Sequence, residues 1–353
     1  MKIACKIACL ILLLNFNLAA KNILTIHEPF NKIPVLLNID KEKVYILDIV
    51  ESVVHVFSLD NAEHYTICKR GEGPGESKFI TKLTNWKNKI VLSGSQKLLY
   101  YDIDGRYLNE KKVPYGRGSI IPFGDKFICK DFDNSPEKTI ISATLYDSDF
   151  SSPRKLEEYI IDRAYRGENG KVNEYIFKDF FGYEATSQYV IVGNTQKGFY
   201  FGIYEKTGKK IRTINLDYKK IAVTAERKKD FHSRLKNQVG LALFKRLMKK
   251  YNQIFPDYYP AYEYFTVADN KIYIRLYPAT NGLQKLLTLD FNGKTLSRNE
   301  VPTIGPDHTF LIRDSNYYYI KENPGRETWE LHTKKLLTVL NKKEEEYNEI
   351  QEI

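Results

Sequence analysis

Short apolar runs recur along the chain, each bounded by a polar, turn-forming pair. Runs of four to eight residues rich in β-branched and aromatic side chains predict strands rather than helices. The clearest unit is a tight polar turn followed by a strand. It reads Asp40-Lys41-Glu42-Lys43-Val44-Tyr45-Ile46-Leu47, then Asn88-Lys89-Ile90-Val91-Leu92, then Asp125-Lys126-Phe127-Ile128-Cys129. It continues as Ser187-Gln188-Tyr189-Val190-Ile191-Val192, Asn270-Lys271-Ile272-Tyr273-Ile274 and Ser315-Asn316-Tyr317-Tyr318-Tyr319-Ile320. Another strand follows each time, from residues 53–60 in the first copy to 328–332 in the sixth. Pairs such as Asp104-Gly105 and Asn292-Gly293 predict hairpin turns into one strand more.

These turns fall near residues 40, 88, 125, 188, 270 and 316, and the shorter intervals match the roughly 40 to 50 residues of one propeller blade. The two long intervals, 125 to 188 and 188 to 270, hold insertions. Six such units predict an all-β fold, a six-bladed β-propeller of four-stranded antiparallel blades, which closes radially and leaves few strand edges open. The sixth copy is short of a fourth strand, and Ile23-Leu24-Thr25-Ile26 is expected to supply it.

Helical periodicity is confined to a short α-helical insertion between blades 4 and 5, about residues 224–255. Phe231, Leu235 and Val239 recur at four-residue spacing, as do Leu243 and Leu247, with Gly240 dividing two helices. This stretch also concentrates the charge. The chain carries a formal net charge of +10, and residues 225–251 hold Arg227, Lys228, Lys229, Arg234, Lys236, Lys245, Arg246, Lys249 and Lys250 against Glu226 and Asp230. With the remainder close to neutral, a whole-surface nucleic-acid binder is excluded. The basic residues form either a solvated face over helices packed on the β body, or a docking surface for anionic membrane, glycan or an acidic protein.

The first twenty residues carry Lys2 and Lys6, an apolar run over 7–14, then Ala19-Ala20. This is the pattern of a secretory signal peptide cleaved after about Ala20, and its apolar run is too short to span a bilayer. Cys5 and Cys9 lie before or inside that run, so there is no lipobox. The expected organisation is signal peptide 1–20, propeller 21–340 and a charged tail 341–353, in a monomeric protein exported to the periplasm or secreted. Cys68 and Cys129 sit in strand-like apolar runs and are expected to be free, buried thiols.

The run Arg70-Gly71-Glu72-Gly73-Pro74-Gly75-Glu76 closes the first blade. This Gly-x-Gly-Pro-Gly-Glu pattern resembles bacterial six-bladed β-propeller proteins typical of Bacteroidetes, and the blades are similar to the wider NHL and TolB type. The resemblance implies an interaction scaffold rather than a reaction. Three glycines permit positive backbone angles and Pro74 fixes the angle between two of them. The run is therefore expected to make a rigid turn, with Glu76 accepting bonds from freed N–H groups. The alternative is a ligand cradle involving Arg70, Glu72 and Glu76. A P-loop is excluded because the required Lys-Ser/Thr does not follow.

In an up-down-up-down blade, the loop between strands two and three and the connection to the next blade emerge on one face. That face should gather the glycine run, the polar insertion at 158–180 and the basic insertion at 217–258, where propellers usually bind. The ligand-binding candidates there are Arg70, Glu72, Glu76, Asp131, Asp133, Tyr258, Tyr259, Arg275, Asp307 and His308. Tyr258 and Tyr259 either offer faces to sugar rings or peptide side chains, or pack the insertion onto the body. Asp131 and Asp133 are oxygen donors suited to calcium or solvated turn residues, and two carboxylates fall short of the six to eight ligands calcium takes.

The six histidines are scattered with no pair at metal-ligand spacing, and no zincin motif, nucleophile elbow or Cys-His arrangement occurs. The leading function is thus a non-enzymatic exported scaffold, needing no cofactor, for a protein, peptide or glycan. The alternative is a calcium-dependent hydrolase, lactonase or lyase whose acidic ligands converge from different blades.

Overall fold

The computed structural model describes residues 20–337, apart from 29, 31–33, 41, 61–62, 95, 163–169, 279–281, 304–309 and 324. The expected signal peptide up to residue 19, the tail 341–353 and the candidates Asp307 and His308 lie outside the described residues.

The chain opens with β1 (Lys21–Ile26) and then builds blade 1 from β2 (Val35–Ile39), β3 (Lys43–Asp48), β4 (Val53–Ser58) and β5 (His64–Ile67). Blade 2 is β6 (Ile80–Trp86), β7 (Lys89–Gly94), β8 (Lys97–Asp102) and β9 (Tyr107–Lys112). Blade 3 is β10 (Arg117–Phe123), β11 (Lys126–Asn134), β12 (Lys138–Tyr146) and β13 (Arg154–Asp162). After a short strand, β14 (Val172–Tyr175), blade 4 is β15 (Phe181–Ala185), β16 (Val190–Asn194), β17 (Phe199–Tyr204) and β18 (Lys210–Leu216). Helices α1 (Ala225–Val239) and α2 (Leu241–Lys250) and strand β19 (Tyr251–Ile254) follow. Blade 5 is β20 (Tyr264–Ala268), β21 (Lys271–Arg275), β22 (Leu283–Leu289) and β23 (Thr295–Pro302). Blade 6 is β24 (Phe310–Arg313), β25 (Asn316–Asn323) and β26 (Thr328–Lys335), completed by β1. All six sheets are antiparallel, and the protein is a six-bladed β-propeller.

Burial explains the sequence pattern. The second strand of each blade lies between neighbouring blades, so it is buried on both faces and reads as a continuous apolar run rather than an alternation. In β7, Ile90, Val91 and Leu92 are all buried, and in β16 so are Val190, Ile191 and Val192. At the rim the pattern reverses: five of the six residues of β9 are exposed. Three of the turns joining first to second strands share one conformation. Lys87-Asn88, Asp269-Asn270 and Asp314-Ser315 all have φ between 49° and 57°, the two-residue geometry whose twist matches that of the flanking strands. The Asp104-Gly105 and Asn292-Gly293 pairs sit in hairpins between third and fourth strands. There Asp102 and Asp290 accept the backbone N–H of Arg106 (2.8 Å) and Lys294 (2.9 Å).

The ring closes as expected of residues 23–26. β1 pairs antiparallel with β26, setting Leu24 opposite Leu331 and Ile26 opposite Trp329. Leu24 and Ile26 pack in one cluster with Leu36, Val44 and Ile46 of blade 1 and Ile320 and Leu331 of blade 6. The inner strands β2, β6, β10, β15, β20 and β24 each contact the next and ring a central opening. Cys68 and Cys129 are free and buried.

Because Ile26 is 1% exposed at this seam, Ile26→Ala should lower stability by about 2–5 kcal/mol, the usual cost of emptying a core position. Deleting residues 21–30 should lower the melting temperature much further, since it opens the ring. Urea and thermal denaturation of the two variants check both.

Candidate functional site

The two insertions fold together. β14, from the connection between blades 3 and 4, pairs in parallel with β19, from the connection between blades 4 and 5, with Val172 opposite Tyr251 and Tyr175 opposite Ile254. Lys171 donates to the Met248 carbonyl at 3.0 Å. Beneath lies an aromatic core centred on Phe177, whose ring meets Tyr259 at 4.7 Å, Phe231 at 5.6 Å, Tyr277 at 5.8 Å and Phe255 at 6.0 Å. This explains the apolar spacing of α1: Phe231 faces the body. Thr224 caps the helix through the Arg227 N–H, and Gly240, at φ 79°, separates the two helices as expected. The result is one platform spanning blade 4.

On the platform's outer side, Ala225, Lys228, Lys229, His232, Ser233, Lys236 and Phe244 line a shallow groove of about 450 Å³. His232 pairs through Nε2 with the Gln253 side chain at 2.5 Å, and its ring lies 6.2 Å from that of Phe244. No carboxylate lines the groove among the described residues. Of the remaining basic candidates, Arg234 is paired with Asp230 at 3.0 Å, whereas Lys245, Arg246, Lys249 and Lys250 project from α2 into solvent. Arg227 is half-buried.

The glycine run is a clip between blades 1 and 2. Glu76 accepts the Gly73 N–H at 3.0 Å, as its position suggested. The glycines serve different ends, however. Gly75 alone among the three takes a positive φ, 73°, whereas the Glu76 carboxylate lies close against Gly71 and Gly73 and would have to shift to admit a side chain at Gly71. Blade 2 grips the turn: Tyr101 donates to the Gly75 carbonyl at 2.7 Å and Lys97 to the Gly73 carbonyl at 2.9 Å. Arg70 donates to the Val50 carbonyl at 2.9 Å. Glu72 is exposed and pairs with Lys78, which holds its carboxyl below the usual range. Hydrogen bonds within the fold thus engage Arg70, Gly73, Gly75 and Glu76.

Other candidates separate in the same way. Asp131 and Asp133 belong to strand β11 rather than a turn. Asp131 accepts the Tyr146 hydroxyl at 2.6 Å and faces Arg117 at 3.6 Å, while Asp133 points to solvent. Arg275 is 4% exposed, paired with Glu263 at 3.0 Å and flanked by the rings of Tyr264 and Phe310. That guanidinium lies between blade 5 and blade 6. Tyr259 is buried in the platform core, whereas Tyr258 is exposed with Lys220 over its ring at 5.7 Å.

Two charge clusters were missed from sequence. Glu157 of β13 is buried between blades 3 and 4, where Lys197, Lys210, Tyr200 and Tyr204 all donate to it. Burial works to raise this carboxyl, and the four donors overcome it and hold it at about 2. A carboxylate so fully bonded is structural. The second cluster lies in the central opening. There a cavity of about 190 Å³ is lined by the first strands of blades 2, 3, 4 and 5 together with Lys130 of β11. Lys82 of blade 2 crosses it to Glu184 of blade 4, at 2.8 and 3.1 Å from the two oxygens. A charged residue within an innermost strand was the available signal, since such a strand can turn a side chain only toward a neighbouring blade or the opening.

The architecture defines the class of protein, and comparison with known proteins agrees. A family model described as a 6-bladed beta-propeller matches residues 28–139. A Bacteroides fragilis protein provisionally described as exported shares the fold: 15% identity, covering 91% of this chain and 95% of that one, with a TM-score of 0.51. The β-propeller domain of the trilobed protease from Pyrococcus furiosus is 14% identical, covering 86% and 81%, with a TM-score of 0.43. A gluconolactonase from Xanthomonas campestris is 10% identical, covering 89% of each chain, with a TM-score of 0.45. No curated protein matches. Among the described residues, no helix is long and apolar enough to cross a membrane.

The folded-state depression of Glu157 contributes stability that is complete above the ordinary carboxyl range near 4.5 and is lost as pH falls toward 2. Glu157→Gln should therefore be clearly less stable than wild type at pH 6, with the gap narrowing at pH 3. Urea midpoints of the two proteins at both pH values check this. Gly75→Ala should cost about 1 kcal/mol or more in the same assay, because the alanine must hold a positive φ against the Tyr107 ring at 3.0 Å.

Proposed function

We propose that this protein is an exported, non-catalytic binding propeller that holds an acidic protein, peptide or glycan on its insert-bearing platform. The observation that carries this reading is the platform itself. Residues from two connections, on either side of blade 4, are ordered into one body by β14, β19 and the Phe177 core. Ring closure requires neither insertion, and ordering such segments costs about 1–2 kcal/mol per residue in backbone entropy. The outward groove presents Lys228, Lys229 and Lys236, and no carboxylate is among its lining residues, so its charge is complementary to an acidic surface.

Export is proposed from the leader pattern at residues 1–20, with cleavage after about Ala20. The Gly-x-Gly-Pro-Gly-Glu clip and the NHL- and TolB-like character of the blades support placement among bacterial scaffold propellers. The calcium-dependent alternative asks for convergent oxygen donors, and the residues present do not fit it. No group of three or more His, Cys, Asp or Glu that could hold a metal occurs among the described residues. Asp131 is already engaged by Tyr146, and the central opening offers two lysines beside one carboxylate.

The test is retention on immobilised polyglutamate as salt is raised. Reversing Lys228, Lys229 and Lys236 to Glu should release the protein at markedly lower salt, while reversing the exposed Lys87, Lys209 and Lys294, away from the platform, should have a much smaller effect. Equal release of the two triple variants, both folded by circular dichroism, would sink the assignment to the platform.

A further inference from the structure

We propose that the central opening is a second, independent site, for one small organic carboxylate of about ring size. The inference rests on the balance of charge and hydrogen bonds around Lys82, Lys130 and Glu184, and it does not depend on the function of the platform.

Lys82 and Glu184 neutralise each other across the cavity. Lys130, entering from β11 of blade 3, stands beside them with a single acceptor, the Phe181 backbone carbonyl at 3.3 Å. No carboxylate pairs with it among the described residues. Burial, and then the neighbouring charge of Lys82, hold this ammonium below the usual lysine range, so the fold bears an unneutralised cation where it is least stable. Glu157 shows how the same fold treats a charge kept for structure: it surrounds it with four donors. The Lys130 site lacks the complementary anion, and a ligand carboxylate would supply it.

Size and lining narrow the ligand. A volume of about 190 Å³ is slightly larger than the roughly 150 Å³ cavity that admits benzene, which suits one ring and its carboxylate. Thr81 and Ser119 bring hydroxyl groups to the wall, and Tyr264 brings an aromatic ring and a phenol. Such a wall accepts either a uronic acid or a benzenoid acid, both of which share the carboxylate chemistry.

Isothermal titration of the whole mature chain with glucuronate, benzoate, their neutral counterparts glucose and benzyl alcohol, and inorganic phosphate tests the proposal. At least one of the two carboxylates should bind tenfold or more tightly than its neutral counterpart and than phosphate, and which one does so distinguishes a sugar acid from an aromatic acid. Lys130→Met should lose at least tenfold in affinity while its melting temperature stays level or rises, because a buried charge is replaced by a thioether of similar length. The triple platform variant should bind the carboxylate as wild type does, which separates failure of this site from failure of the platform. Absence of binding by both carboxylates at millimolar concentration, preferential binding of phosphate, or undiminished binding by Lys130→Met would each overturn the proposal.

Discussion

The pairing of β1 with β26 is the constraint on which the other blades depend. Each blade is a sheet with two apolar faces, and only a neighbour on either side removes both from water. A linear array of six would leave one face bare at each end, and the ring removes both at once. The antiparallel ladder from Lys21 to Ile26 makes that contact permanent. Leu24 and Ile26 then belong to a core shared by the first and last blades, so residues at opposite ends of the propeller are held in the same apolar cluster.

Much of this was legible because it is local. A second strand buried on both sides must be continuously apolar, and a two-residue hairpin must use residues that tolerate positive φ; both leave marks within ten residues of sequence. The helical pair with its break at Gly240 left a mark of the same kind. Long-range relations left none. The parallel pairing of Val172–Tyr175 with Tyr251–Ile254 joins segments nearly eighty residues apart, and neither strand has a distinctive pattern of its own. The partner and ring neighbours of the ligand-binding candidate Arg275 were not legible, because Glu263 lies on the preceding connection and the rings on different strands. Asp131 and Asp133 read as a turn because β11 runs to Asn134, several residues beyond its apolar stretch. Gly71 and Gly73 read as conformational devices, whereas neither takes a positive φ and the Glu76 carboxylate lies against both.

Charge falls into three regimes here. Around Glu157 every donor is matched and the cluster holds two blades together. On the platform most of the cations are exposed and screened by solvent, so their effect is collective and salt-dependent. In the central opening few charges are present, but the low-dielectric surroundings make each count for more. The basic candidates of the helical insertion belong to the second regime, and the opening is formed only where four blades meet around it.

The ribbon formed by β14 and β19 has a mechanical consequence. It runs from the approach to blade 4 to the approach to blade 5, so it acts as a strap across that sector. Moving blade 4 outward would have to stretch or shear a hydrogen-bonded ladder as well as part its apolar faces. The circle is therefore not isotropic in stiffness. Radial breathing falls to the unstrapped sectors, and the wall of the opening contributed by β15 is the part held most nearly fixed.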